Sequence, residues 1–243
     1  MGVGFDDLTR ENAIDLCKRL IDEHRSAYMV TPNPEIVMAA WENAELHDAI
    51  CNADLVIPDG IGVVKAARII GTPLKERLPG IEIGEAILEY AAQTGKSVFL
   101  LGAKPGVADA AKEKMQETYP GLNVCGTNDG YFKDDGPVVE KINAAQPDFL
   151  MVCLGAPKQE LFMKRHQNDL SCRLMIGLGG SLDSFAGTVK RAPKWMIKAN
   201  LEWLYRLYKE PKRFGRMLRM PSGCIAASKS RGASSALRAF RFL

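Results

Sequence analysis

A chain of 243 residues, 47 % hydrophobic and with a net charge of +3, is long enough to bury one large α/β core, alone or with an appendage. Six cysteines without a CxxC pair and three scattered histidines argue against a disulfide framework or a zinc site. No apolar run approaches the length of a spanning helix, and the acidic, amphipathic opening MGVGFDDLTRENAIDL lacks the basic and apolar stretches of a secretion signal.

In chain order, Thr9 is placed to cap a helix reaching about Glu23, and Ala27–Val30 reads as a short strand. Asn33, Pro34 and Glu35 form a helix start: an amide cap, proline in the first helical position and an acid in the first turn. Asp54–Ile57 reads as a second strand, and Pro58-Asp59-Gly60 turns into a helix ending near Gly71. A helix over Gly80–Gln93 stops before Gly95, and Ser97–Leu101 is a strand. Gly102–Gly106 leads into another helix, Leu122–Gly126 is a strand and Asp135–Ala145 is a helix. The stretch Pro147–Gly187 then reads strand, turn, helix, strand, glycine-rich loop. The predicted class is α/β: a mainly parallel, Rossmann-like sheet with helices on both faces, plus a basic helical C-terminal appendage. The division expected is a catalytic body over 1–187, an appendage over 188–220 and a mobile tail over 221–243.

Charge supports that division. From Thr188 to Leu243 there are 14 basic and 2 acidic side chains, a charge of +12, against 18 and 27 in the rest, a charge of −9. A basic end on an acidic body implies an anionic partner: a phosphate-bearing ligand, anionic lipid or nucleic acid. Trp195, Leu201, Trp203, Leu204, Tyr205, Leu207 and Tyr208 interleave with these cations. They suit a headgroup-level membrane contact, packing against the body, or both on different faces.

In a parallel sheet, ligands bind at the carboxyl ends of strands, so chemistry is sought there. Thr31 and Asn33 follow the first strand; capping alone explains Asn33 but not Thr31. Asp59 follows the second and reads either as a general base or as a helix cap; spacing does not decide. Arg77 precedes a helix, where a plain surface role is the simpler reading. Gln159 and Asp183 follow the last two strands. Gly177–Ser181 resembles a dinucleotide loop but has Leu182 at the third glycine position, and Gly102–Gly106 lacks the following Gly-Lys-Ser/Thr of a P-loop. Both loops can still offer backbone N–H groups to phosphate, although an ordinary tight turn is the simpler reading of Gly102–Gly106. There is no Asp-x-Asp pair, which disfavours a metal-dependent nucleotide-sugar site.

Together the motifs resemble the WecG/TagA/CpsF glycosyltransferase family, in its TagA-type branch. The matching segments are Thr31–Glu35, Asp54–Gly60, Arg77–Gly80, Leu100–Gly102, Gly130–Phe132, Leu154–Glu160, Gly177–Gly187 and Arg191–Arg216, in the same order and extending to about Met217. The resemblance implies an inverting, metal-independent transfer without a cofactor. The donor would be UDP-N-acetylmannosamine, and the acceptor the 4-hydroxyl of N-acetylglucosamine on undecaprenyl diphosphate, in wall teichoic acid or a related glycopolymer. Asp59 matches the proposed base, and Thr31 a residue near the same centre. Asn33, Tyr131, Gln159 and Asp183 match positions around nucleotide or sugar, with Gly130 and Gly179 beside them. Arg206, Arg213 and Arg216 match arginines of an appendage that closes over the site, and Arg77 is a further cation for the leaving diphosphate. The enzyme would sit peripherally on an anionic membrane surface, at the inner face of the bacterial cell membrane, with no role for nucleic acid and with self-association open. Two other readings remain: a different donor sugar (an N-acetylmannosaminuronic acid or a hexose), or a non-catalytic nucleotide- or anionic-surface-binding module.

Overall fold

The computed structural model describes residues 2–23, 26–189, 191–198 and 201–209. Six strands form one sheet: β1 (Ala27–Val30), β2 (Leu55–Val56), β3 (Ser97–Gly102), β4 (Asn123–Asn128), β5 (Phe149–Cys153) and β6 (Leu174–Gly177). Their order is β2-β1-β6-β5-β3-β4, and every pair is parallel. All six carboxyl ends therefore lie along one edge. The helices are α1 (Arg10–Asp22), α2 (Pro34–Glu42), α3 (Ala44–Cys51), α4 (Ile61–Ile69), α5 (Gly80–Thr94) and α6 (Val107–Thr118). They continue with α7 (Gly136–Ala145), α8 (Lys158–His166), α9 (Ser181–Phe185), α10 (Lys194–Lys198) and α11 (Glu202–Lys209).

The strand sequences are apolar runs because both sheet faces are covered. Alternate side chains enter two separate cores. Met29, Leu100, Met151 and Ile176 meet Cys17, Ile87, Met115 and Leu182 from α1, α5, α6 and α9. Tyr28, Phe99, Leu150 and Met175 meet Ala40, Ile50, Ile142 and Phe162 from α2, α3, α7 and α8. The Tyr28 hydroxyl donates to the Ala49 carbonyl at 2.6 Å, tying the first strand to α3. After β3 and β5 the chain passes to helices on opposite faces. Their loops diverge there, which opens the crevice where such folds bind ligands.

The expected helix starts hold. Thr9 caps α1 through the Asn12 N–H, and Asn33 caps α2 through the Ile36 N–H at 3.0 Å. One boundary was not anticipated. The helix begun at Pro34 stops at Glu42, because Asn43 leaves helical geometry and turns its side chain onto the Leu46 N–H at 3.1 Å, starting α3. Asparagine competes for backbone donors in this way. β2 is shorter than expected, and β4 runs on to Asn128, which pairs with Leu101 after a register shift at Val98/Phe99.

Candidate active site

Asp59 sits just beyond β2. It does not cap its own helix: α4 begins after Gly60 without a side-chain cap. Its carboxylate instead accepts the N–H of Gly80, the first residue of α5, across a long 3.4 Å. A carboxylate at the positive end of a 15-residue helix is favourably placed. Two backbone bonds fix the turn, Asp59 N–H to the Pro32 carbonyl and Leu78 N–H to the Pro58 carbonyl. Asp59 keeps partial exposure. The cap alternative therefore fails for α4, and the carboxylate faces the edge where β1 and α5 meet.

Thr31 is buried beside it, 6 % exposed. Its hydroxyl donates to the Gly177 carbonyl at 2.9 Å, joining the ends of β1 and β6. Gly80 is nested on this pair: a Cβ there would lie 3.0 Å from Thr31 Cγ2 and 3.1 Å from Leu178 Cδ2. The absent side chain lets the α5 N-terminus, Thr31 and the β6 end converge. The Asn33 side chain is spent on its cap, as capping alone had suggested.

Gln159 and Glu160 open α8 with their side chains almost wholly buried, 2 % and 1 % exposed. Gln159 Oε1 accepts the Gly179 N–H at 2.9 Å, and its amide donates to Glu160 Oε1 at 2.8 Å. This fixes the glycine-rich loop after β6 against the end of β5. Asp183 lies in α9 at that loop, and Thr188 donates to its backbone carbonyl at 2.9 Å. Across the crevice, Lys158 Nζ donates to the carbonyls of Gly130 and Phe132 and lies 3.7 Å over the Phe132 ring. The cation thereby holds the loop after β4, from which Tyr131 projects with 69 % of its surface exposed. An exposed ring at a strand end is free to stack on a planar group.

Arg77 is not a plain surface arginine. Its guanidinium pairs with the Glu202 carboxylate of α11 at 3.6 Å, with both side chains largely covered. Arg191 makes a second bridge from the appendage, to Glu82 at 3.0 Å and Glu85 at 3.5 Å on α5. Burial pushes the Glu85 carboxyl above its ordinary range, against the opposing pull of Arg191. The appendage is thus seated on the helix that receives Asp59. It turns Trp195, Trp203, Leu204 and Tyr208 outward, so packing of these side chains against the body does not hold. Arg206 lies within α11, while the expected roles of Arg213 and Arg216, and the tail over 221–243, fall outside the described residues. The sequence reading passed over Glu202 and Arg191 as pairing groups. The available signal was the scarcity of acids in a strongly basic segment, where Glu202 is one of only two.

Among the described residues, no three His, Cys, Asp or Glu side chains gather to hold a metal ion, and no helix is long and apolar enough to cross a membrane. Cys17, Cys153 and Cys172 are buried, and burial pushes each thiol up to about 12. Two surface depressions lie away from the strand-end motifs, one along α1 and one beside Ser26, Asp148 and Arg173 at the opposite edge of the sheet.

Residues 1–235 match the Glycosyl transferase WecG/TagA/CpsF family. The chain is 40 % identical over 215 residues to the N-acetylglucosaminyldiphosphoundecaprenol N-acetyl-beta-D-mannosaminyltransferase of Bacillus spizizenii, covering 88 % of this chain and 84 % of that one. The enzyme of the same name from Bacillus subtilis is 39 % identical over 212 residues, covering 87 % and 83 %. That of Staphylococcus aureus is 38 % identical over 224 residues, covering 91 % and 88 %. With the family match spanning both the strand-end edge and the appendage seated on α5, the chain belongs to the WecG/TagA/CpsF glycosyltransferase family.

Proposed function

We propose that this enzyme transfers N-acetylmannosamine from UDP-N-acetylmannosamine to the 4-hydroxyl of N-acetylglucosamine carried on undecaprenyl diphosphate, in wall teichoic acid or related glycopolymer synthesis. The observation that carries the reading is Asp59. It is a partly exposed carboxylate at the carboxyl edge of the sheet, beside Thr31 and the N-terminus of α5. Similarity to enzymes named for this transfer supports the choice of sugars.

In the proposed step Asp59 accepts the proton of the acceptor hydroxyl. That oxygen bonds to the anomeric carbon as the bond from this carbon to the UDP oxygen breaks, and the configuration inverts. The leaving diphosphate gains charge in the transition state, and fixed positive groups stabilise it there. Arg77 and the arginines Arg206, Arg213 and Arg216 are the assigned cations, since guanidinium groups match phosphate bidentately. The donor lies along the β5, β6 and β4 ends, with Gln159 and Gly179 shaping the loop, Asp183 and Asn33 near the sugar, and Gly130 and Tyr131 at the nucleotide. Thr31 joins this half to the base.

The body over 1–187 carries the chemistry, and the appendage from 188 closes over it. The outward aromatics, Trp195, Trp203 and Tyr208, would sit at the headgroup level of an anionic membrane on its cytoplasmic face, next to the lipid-linked acceptor. The test is sugar transfer to a GlcNAc-diphospho-lipid analogue, with and without liposomes. Full activity in Asp59→Asn would remove the base assignment, and undiminished activity after truncation at Thr188 would remove the lid.

A further inference from the structure

Glu160 has no part in the chemistry above, yet it is 1 % exposed and one of its oxygens, Oε2, is buried without a hydrogen-bond partner. An ionised carboxylate is costly in such a place, and burial pushes its carboxyl above the ordinary carboxylate range. Its other oxygen accepts the Gln159 amide at 2.8 Å. That contact has a consequence two residues into the next strand's loop. A glutamine amide can present either its oxygen or its nitrogen in one direction. Only the oxygen can accept the Gly179 N–H, which it does at 2.9 Å. Glu160 selects this orientation by accepting the amide hydrogen on the other side.

The space for the arrangement is provided by Gly177, where a Cβ would lie 3.1 Å from Gln159 Nε2 and 2.9 Å from Met163 Cε. Gly177 also gives its carbonyl to Thr31. One connected set therefore runs from α8 through the end of β6 to the end of β1.

We infer that Glu160 is a positioning residue that orients the Gln159 amide and so fixes the Gly179 loop for the nucleotide-sugar donor. Its use in binding rests on the donor placement proposed above; the orientation of the loop does not. Glu160→Gln keeps a carbonyl acceptor for the amide, whereas Glu160→Leu removes it and lets the amide turn.

The test uses the full chain and two readouts. In Glu160→Leu, hydrogen exchange in the peptide covering 177–187 rises at least ~10-fold, the donor KM rises by a similar factor and the acceptor KM holds. In Glu160→Gln both stay within about twofold of the wild type. Gln159→Met gives the same rise in exchange, keeping the test available should Glu160→Leu fail to fold. Unchanged exchange in a folded Glu160→Leu or in Gln159→Met overturns the inference, as does a Glu160→Gln protein as damaged as Glu160→Leu. Raised exchange with an unchanged donor KM upholds the orienting role and instead removes the donor from this loop.

Discussion

The two halves of the strand-end edge are built differently. On the β2 side, Asp59 is partly exposed and accepts the N–H at the α5 N-terminus across a long 3.4 Å. On the β5–β6 side, Gln159 and Glu160 are almost wholly buried and bonded at 2.8–2.9 Å. A group that exchanges a proton with a substrate needs access and room to change partners. A group that sets the shape of a loop gains from burial, because a buried polar contact has no water to replace it. The difference fits the proposed division into a reacting half and a shaping half, and on that proposal mutation should affect them through different constants.

The largest expected effect is at Asp59. Asp59→Asn should lower the turnover about 10²–10⁴-fold while UDP-sugar binding persists, which single-turnover assays and calorimetry would separate. A matching loss of donor binding would break the distinction between the halves. Next comes Arg77→Ala, with an expected barrier increase of about 2.7–4 kcal/mol if the guanidinium meets the leaving diphosphate. Should Arg77 serve only to seat Glu202, the charge-exchanged pair Arg77→Glu with Glu202→Arg would recover activity, and its failure to do so keeps Arg77 in the chemistry.

Thr31→Val tests the seam between the halves. It strips the hydroxyl from the buried Gly177 carbonyl and should cost about 1–3 kcal/mol in denaturant unfolding. The smallest effect sharpens the shaping half. Burial raises the folded-state value for Glu160, so its contribution is present below the ordinary value of 4.5 and is lost as pH rises through the raised one. Glu160→Gln has no such proton to lose. Its stability relative to wild type should climb across that window, and identical pH profiles from thermal unfolding would remove the raised carboxyl.

Much of the fold could be read from local pattern. Thr9 and Asn33 cap their helices as expected because short polar side chains reach the N–H groups two or three residues ahead, a purely local matter. Asn43 obeys the same rule, but the apolar spacing on either side of it masks the break. The strand-end placement of Thr31, Asp59, Gln159 and Asp183 was legible for the same reason: strand, turn and helix alternate, and parallel connections bring every strand end to one edge. The partners were not legible. Gly80 comes to Asp59 across 21 positions, Gly177 to Thr31 across 146 and Glu202 to Arg77 from the far end of the chain.

The sequence by itself determined an α/β chain with its polar groups at strand ends and a cationic, aromatic end, since composition, capping and periodicity act over a few residues. Tertiary structure alone decided that Asp59 meets another helix rather than capping its own, that Gln159 faces a loop with its oxygen, and that Glu202, one of two acids in the basic segment, grips Arg77. Those outcomes depend on which distant atoms become neighbours and on how far water is excluded between them. Both are set by the packing of the whole sheet with its helices, which no local spacing encodes.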